Sequence, residues 1–105
     1  MKTDFFVVLC TTDVNESNGI ARLLVEEKLA ACVNVAAVNS YFRWKGEVCE
    51  EREALLIIKT EKSKVDRIIT RIKEVHSYEL PEIIALPIVA GYDKYLAWIE
   101  SSIDT

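Results

Sequence analysis

Four side chains in this sequence offer soft or intermediate metal ligands: Cys10, Cys32, Cys49 and His76. Thiolate and imidazole are the groups that copper and zinc prefer. With a single histidine, neither a multi-histidine site nor a histidine-based triad fits within one chain, although three copies would supply three rings. Cys10 lies in an apolar run and Cys32 at a helix-to-strand junction, places where free cysteine commonly behaves as a small core residue. Cys49 follows a turn beside acidic residues and is expected to be a partly exposed thiol. His76, at the end of a helix, also suits the role of a cation at the negative pole of the helix dipole. A nucleophilic Cys10 is disfavoured, because an apolar environment raises a thiol pKa instead of lowering it. Three cysteines without a C-x-x-C pair imply neither a disulfide framework nor a closed zinc site.

A second group is polar and aromatic: Tyr41, Trp44 and Lys45, then Glu53 and Lys59, then Tyr78, Glu79 and Glu82. Such residues commonly line pockets and interfaces. Glu51, Glu53 and Lys59 share a strand parity, so they are expected on one face, forming with Glu82 either a charged cleft or ordinary ion pairs. Walker, G-x-G-x-x-G, G-x-S-x-G, H-E-x-x-H and EF-hand patterns do not occur. Nucleotide and hydrolase functions thereby lose their usual support, and the chain is expected not to be an enzyme.

The elements that must position these groups follow from patterning. Phe5 to Thr11 is an apolar, β-branched run that reads as a buried strand. The stretch from Asn15 to Cys32 places Ala21, Leu24, Val25, Leu29 and Cys32 at helical spacing, with capping residues at its start. Val33 to Trp44 and Val48 to Thr60 are strand-like and flank Lys45, Gly46 and Glu47, a tight turn, so a long β-hairpin is expected. Val65, Ile68, Ile69, Ile72, Val75 and His76 define a second helix, with Ser63 and Asp66 as candidate caps. A connector containing Pro81 leads to a last strand from Ile83 to Ala90, whose Pro87 belongs on an edge or at a bulge. Tyr92, Tyr95, Leu96, Ile99 and Ile103 form one stripe of a terminal helix, with Trp98 beside it.

The order is β-α-β-β-α-β plus a helix, the split β-α-β arrangement of the ferredoxin-like class, an α+β sandwich. At 105 residues one domain spans positions 1–105. Consecutive apolar positions in FFVVLC, ALLII and IIALPIVA imply strands buried on both faces. Two helices cover one face and a single short terminal helix cannot cover the other, so a homo-oligomer is expected. A net charge of −4 argues against a nucleic-acid surface. No apolar run approaches the roughly 20 residues of a membrane span, and the N-terminus carries Asp4 ahead of a short apolar stretch, so a cytoplasmic protein is expected.

The runs KLAACVNV (28–35) and SYFRWKG (40–46), Glu53 through Lys59 and Thr60, HSYELPE (76–82) and YLAWI (95–99) together resemble the CutA divalent-cation tolerance family over nearly the whole chain. The resemblance implies a ferredoxin-like fold assembled as a PII-like homotrimer, and a role in tolerance to copper and other divalent cations without an established catalytic activity. It places Cys10 and His76 at positions implicated in copper binding, and Cys32 in the A-A-C-V-N motif. Trp44, Glu53, Lys59, Tyr78, Glu82 and Trp98 match positions that recur at inter-subunit clefts. Ser77 stands where many members have proline, and Val75 where some have a second histidine. The implied partners are further copies of the chain and metal ions, with none obligatory; the alternative is a PII-like sensor or scaffold whose inter-subunit cleft takes an anionic or amphipathic effector. The short turn at 45–47 disfavours the long switching loop of PII proteins.

Overall fold

The computed structural model describes residues 4–103, so the three residues before Asp4 and the two after Ile103 lie outside the description. The elements run β1 (Phe5–Thr12), α1 (Ser17–Glu26), β2 (Cys32–Trp44), β3 (Glu47–Glu61), α2 (Lys62–Val75), β4 (Ile83–Pro87) and α3 (Asp93–Ser102). The strands form one antiparallel sheet in the order β2-β3-β1-β4. This is the expected ferredoxin-like α+β arrangement with an added helix, and Pro87 ends an edge strand, where its missing N–H does least harm.

Strand parity divides the sheet. Val8, Cys10 and Thr12 of β1 pair with Ile58, Leu56 and Ala54 of β3. Of these, Val8, Cys10, Leu56 and Ile58 pack with Ile20 and Leu24 of α1 and Ile68 and Ile72 of α2 in the main core. The opposite parity puts Val7, Leu9 and Thr11 beside Lys59, Ile57 and Leu55 on the second face. Here α3 covers one end, burying Ile99 and Ile103 with Phe5 and Ala31. The rest is open: Ile84 and Leu86 of β4, paired with Leu9 and Val7, are 49% and 46% exposed.

Several boundaries differ from the sequence expectation. Helix α1 stops at Glu26, six residues short of Cys32, because Lys28 takes a left-handed φ of 60°. The Lys28 and Leu29 amides then donate to the Val25 and Leu24 carbonyls, a Schellman termination made without glycine. Helix α2 starts at Lys62 with Glu61 as its N-cap residue; the Ser63 hydroxyl donates to the Glu61 carboxylate, and neither Ser63 nor Asp66 caps the helix. Strand β4 ends at Pro87 instead of Ala90, leaving Val89 exposed. Tyr92 precedes α3 and is exposed, as is much of Trp98, so the terminal stripe reduces to Leu96, Ile99 and Ile103. A Cβ at Gly91 would come within 3.2 Å of the Leu96 side chain, which would have to shift by a few tenths of an ångström to admit it.

Strands β2 and β3 continue past the end of β1, whose last pair is Thr12 with Ala54. The extension, from Val38 and Glu53 outward to Trp44 and Glu47, is a two-stranded arm, and it draws the molecule out to 45 × 25 × 21 Å. Lys45 and Gly46 alone form its turn, with φ of 51° and 83°, the mirror-image geometry that matches strand twist.

Candidate functional site

Strand β1 carries Cys10 toward the helices, where it is fully buried. Its thiol donates weakly to the Thr11 carbonyl at 3.7 Å. Burial above all, and then the nearby carboxylates of Glu82, Glu16 and Glu53, push the Cys10 thiol up to about 12, so it keeps its proton at neutral pH. The same carbonyl of Thr11 lies 2.8 Å from Nε2 of His76. The imidazole is fully buried at the end of α2, and its Nδ1 accepts the backbone N–H of Tyr78 at 3.1 Å. Accepting at Nδ1 fixes the tautomer: Nε2 carries the proton and donates it to Thr11. Glu16 approaches Nδ1 at 3.4 Å.

Cys32 is elsewhere. It opposes Lys59 in the β2–β3 register, on the sheet face away from Cys10 and the main core. The Lys59 ammonium lies 3.9 Å from its sulfur, and the Tyr95 hydroxyl of α3 is a further neighbour whose own pKa is raised, chiefly by desolvation and then by Cys32. The expected set of Cys10, Cys32 and His76 therefore does not converge within one chain. Cys49 is partly buried on the arm, opposite Phe42.

These residues do not fit a resident soft metal ion within one subunit. One thiol is protonated and buried, the imidazole has both nitrogens engaged, and the other thiol is across the sheet. Among the described residues no three His, Cys, Asp or Glu side chains are gathered to hold an ion. At the end of α2 the His76 ring is held by the Thr11 carbonyl and the Tyr78 amide, with the Glu16 carboxylate 3.4 Å from Nδ1.

The polar and aromatic group does assemble, in part. Between the arm and the connector after α2 lies a cleft of about 700 Å³ lined by Tyr41, Trp44, Glu51, Glu53, Tyr78, Glu79 and Glu82 from the expected set. Glu53 is buried and accepts the Tyr78 hydroxyl at 2.7 Å. Desolvation, then this bond and the Glu53 charge, raise the Tyr78 pKa well above the phenol range. The His76 and Tyr78 rings meet edge to face at 4.6 Å, so the cleft floor is fixed to the buried imidazole. Lys59 does not reach this cleft: it shares the face of Glu53 but sits six residues along β3, beside Cys32. Carboxylate walls also suit an anionic effector poorly.

Sequence reasoning missed Thr11, Ser40, Phe42, Arg43 and Leu80 in this lining and Glu16 at His76. Arg43 and Phe42 lie within the SYFRWKG run, so that signal was present; Glu16 meets a residue sixty positions away, and no local pattern marks it.

A family model described as the CutA1 divalent ion tolerance protein matches residues 5–102. The chain belongs to this family. It is 45% identical over 98 residues to the divalent-cation tolerance protein CutA of Thermus thermophilus, covering 91% of this chain and 95% of that one. It is 42% identical to the chloroplastic CutA of Arabidopsis thaliana over 96% of its own length but 57% of the plant protein. Among solved structures, the PII-like protein CutA from Nostoc superposes with a TM-score of 0.91 at 37% identity, covering 94% of this chain and 97% of that chain. The family and the fold expected from the CutA-like sequence motifs are thus both present. No helix among the described residues is long and apolar enough to cross a membrane.

Proposed function

We propose that this CutA-family chain serves divalent-cation tolerance as a non-catalytic, cytoplasmic homotrimer that meets copper or another divalent ion between copies, not inside one. The observation that carries the reading is the half-bare second sheet face. Leu9 and Ile57 lie on it beside the exposed Ile84 and Leu86, while α3 covers only the end near Phe5. An apolar sheet face of this kind calls for a covering partner. A second copy is that partner, and in the assembly Lys59 of one copy joins Trp44, Glu53, Tyr78 and Glu82 of another in an inter-subunit cleft. Cys32, partly exposed on the same face, is the thiol available to an ion, whereas Cys10 and His76 hold the subunit together. The engagement of both His76 nitrogens supports a non-enzymatic role, since it leaves Cys10 without a base. Three unpaired thiols support a reducing compartment.

Native mass spectrometry of reduced protein during copper titration tests this reading. A trimer that takes up copper, loses uptake on Cys32→Ser and keeps it on Cys10→Ser is the expected result. A monomer, or uptake that depends on Cys10 and not Cys32, overturns it.

A further inference from the structure

Asn18 and Gly19 form the one Asn-Gly pair in the sequence. In such a pair the side-chain amide carbon of asparagine is one short ring closure away from the next backbone nitrogen, and a glycine without a Cβ lets the two approach. The structure leaves both partners free. Asn18 is exposed in the first turn of α1, and no described residue bonds its side-chain amide. The Gly19 nitrogen is among the N–H groups that a helix start leaves without an intrahelical acceptor, since the first bond back to the N-cap residue runs from the Ile20 amide to the Glu16 carbonyl. The space beside Gly19 is open, with nothing within 4 Å of the position a Cβ would take.

A helical backbone holds the two atoms apart, so ring closure requires the turn to open, and this turn is poorly secured. No side chain caps α1, no acidic residue in its first turn meets the dipole, and Gly19 itself disfavours helix. Helix α1 packs on the main-core face of the sheet, opposite the half-bare one, so a neighbour docked on the latter leaves Asn18 in solvent. We propose that Asn18 is a site of spontaneous deamidation, an enzyme-free modification whose co-reactant is water. The Gly19 nitrogen loses its proton to solvent and bonds to the side-chain carbon of Asn18, whose amide takes up a proton and leaves as ammonia. Water then opens the succinimide ring: its hydroxyl adds to one of the two carbonyl carbons and the nitrogen regains a hydrogen. Opening at the side-chain carbon gives aspartate, which puts the missing acid into the first turn, four residues before Arg22. Opening at the backbone carbon gives isoaspartate, which inserts a methylene into the chain between the buried Ser17 and Ile20 and loosens α1 on the core.

The test incubates the full chain in mildly alkaline buffer at body temperature and maps the products by peptide mass spectrometry, with fragmentation that distinguishes isoaspartate from aspartate. The expected result is the mass gain of NH2 replaced by OH at Asn18, as a mixture of both products, ahead of Asn15, Asn34 and Asn39. Gly19→Ala fits the open space and should slow the gain at least about fivefold, the helix-propensity difference between the two residues read as less frequent opening of the turn. Asn18→Asp supplies the aspartate product directly, and the isoaspartate fraction separated by chromatography should unfold at lower urea than this variant. No gain at Asn18 in the native protein, with the urea-unfolded chain as positive control, overturns the proposal. So does a rate unchanged by Gly19→Ala, or an equal gain at all four asparagines. The stated effect on α1 falls if the two products share one urea midpoint.

Discussion

Nε2 of His76 and the backbone carbonyl of Thr11 are 2.8 Å apart, and that bond ties the end of α2 to the end of β1. With Nδ1 accepting from the Tyr78 amide, the only imidazole in the chain is a two-ended brace. A metal ion would have to replace one of these bonds and enter a site where the ring is fully buried.

This brace makes the tautomer a measurable quantity. Nitrogen NMR should show His76 as the Nε2–H form at neutral pH, unchanged by one equivalent of zinc. His76→Ala would leave the Thr11 carbonyl and Tyr78 amide without their partner and open a cavity, lowering stability by about 2–4 kcal/mol in urea melts. A zinc-induced change in the resonances of the ring nitrogens would show that the brace yields to metal.

The Cys10 thiol gives a pH signature. Its pKa is raised from 9.0 to about 12 by burial first and carboxylates second. In the unfolded chain the proton leaves near pH 9, so between pH 9 and 12 the native state binds more protons and stability falls as pH rises. Below pH 9 the contribution is fully present. The loss is on the order of a few kcal/mol, since each tenfold difference in proton affinity between the two states is worth about 1.4 kcal/mol. Cys10→Ala should flatten the decline over this window; an identical decline in wild type and variant would assign it to other groups, such as Tyr78.

How much of this was legible follows from which contacts are local. The parity of β3 separates Glu53 and Ile57 from Leu56 and Ile58, and alternation along a strand is written in sequence. The Lys45-Gly46 turn was equally visible. The end of α1 was not, because Lys28 adopts the left-handed conformation that glycine usually signals. The separation of Cys10 from Cys32 needed the register that sets Cys32 opposite Lys59, which spacing alone does not supply. The brace at His76 joins the end of α2 to β1 and the connector, and its hydrogen-bond partners are backbone groups that carry no residue identity.

Lys28 points to a simple gain in stability. A left-handed residue with a Cβ is strained by about 1 kcal/mol relative to glycine at this helix-terminal position. Lys28→Gly keeps both Schellman bonds and should raise stability by roughly that amount, read as a higher urea midpoint at unchanged slope. A lower midpoint would mean that the lysine side chain contributes more than its backbone costs.

The bond from Tyr78 to the buried Glu53 should be worth more than a surface contact, because its acceptor is largely removed from water. Tyr78→Phe removes the donor and leaves the carboxylate less satisfied, at a cost of about 1.5–3 kcal/mol. In the double variant with Glu53→Gln, the second change should cost less than it does alone. Strict additivity in that cycle would mean the two side chains are energetically independent despite their 2.7 Å separation.

Adjacent residues on β3 separate folding from assembly. Leu56 is fully buried beneath the helices, so Leu56→Asp places a charge in the main core and should unfold the chain. Ile57 lies on the opposite, half-bare face next to Leu9. Ile57→Asp should keep native circular dichroism while light scattering reports a monomer, because the charge then falls on the surface a neighbour would cover. Intact trimers from Ile57→Asp would mean that copies meet elsewhere, and the exposed Ile84 and Leu86 beside it would then need another partner.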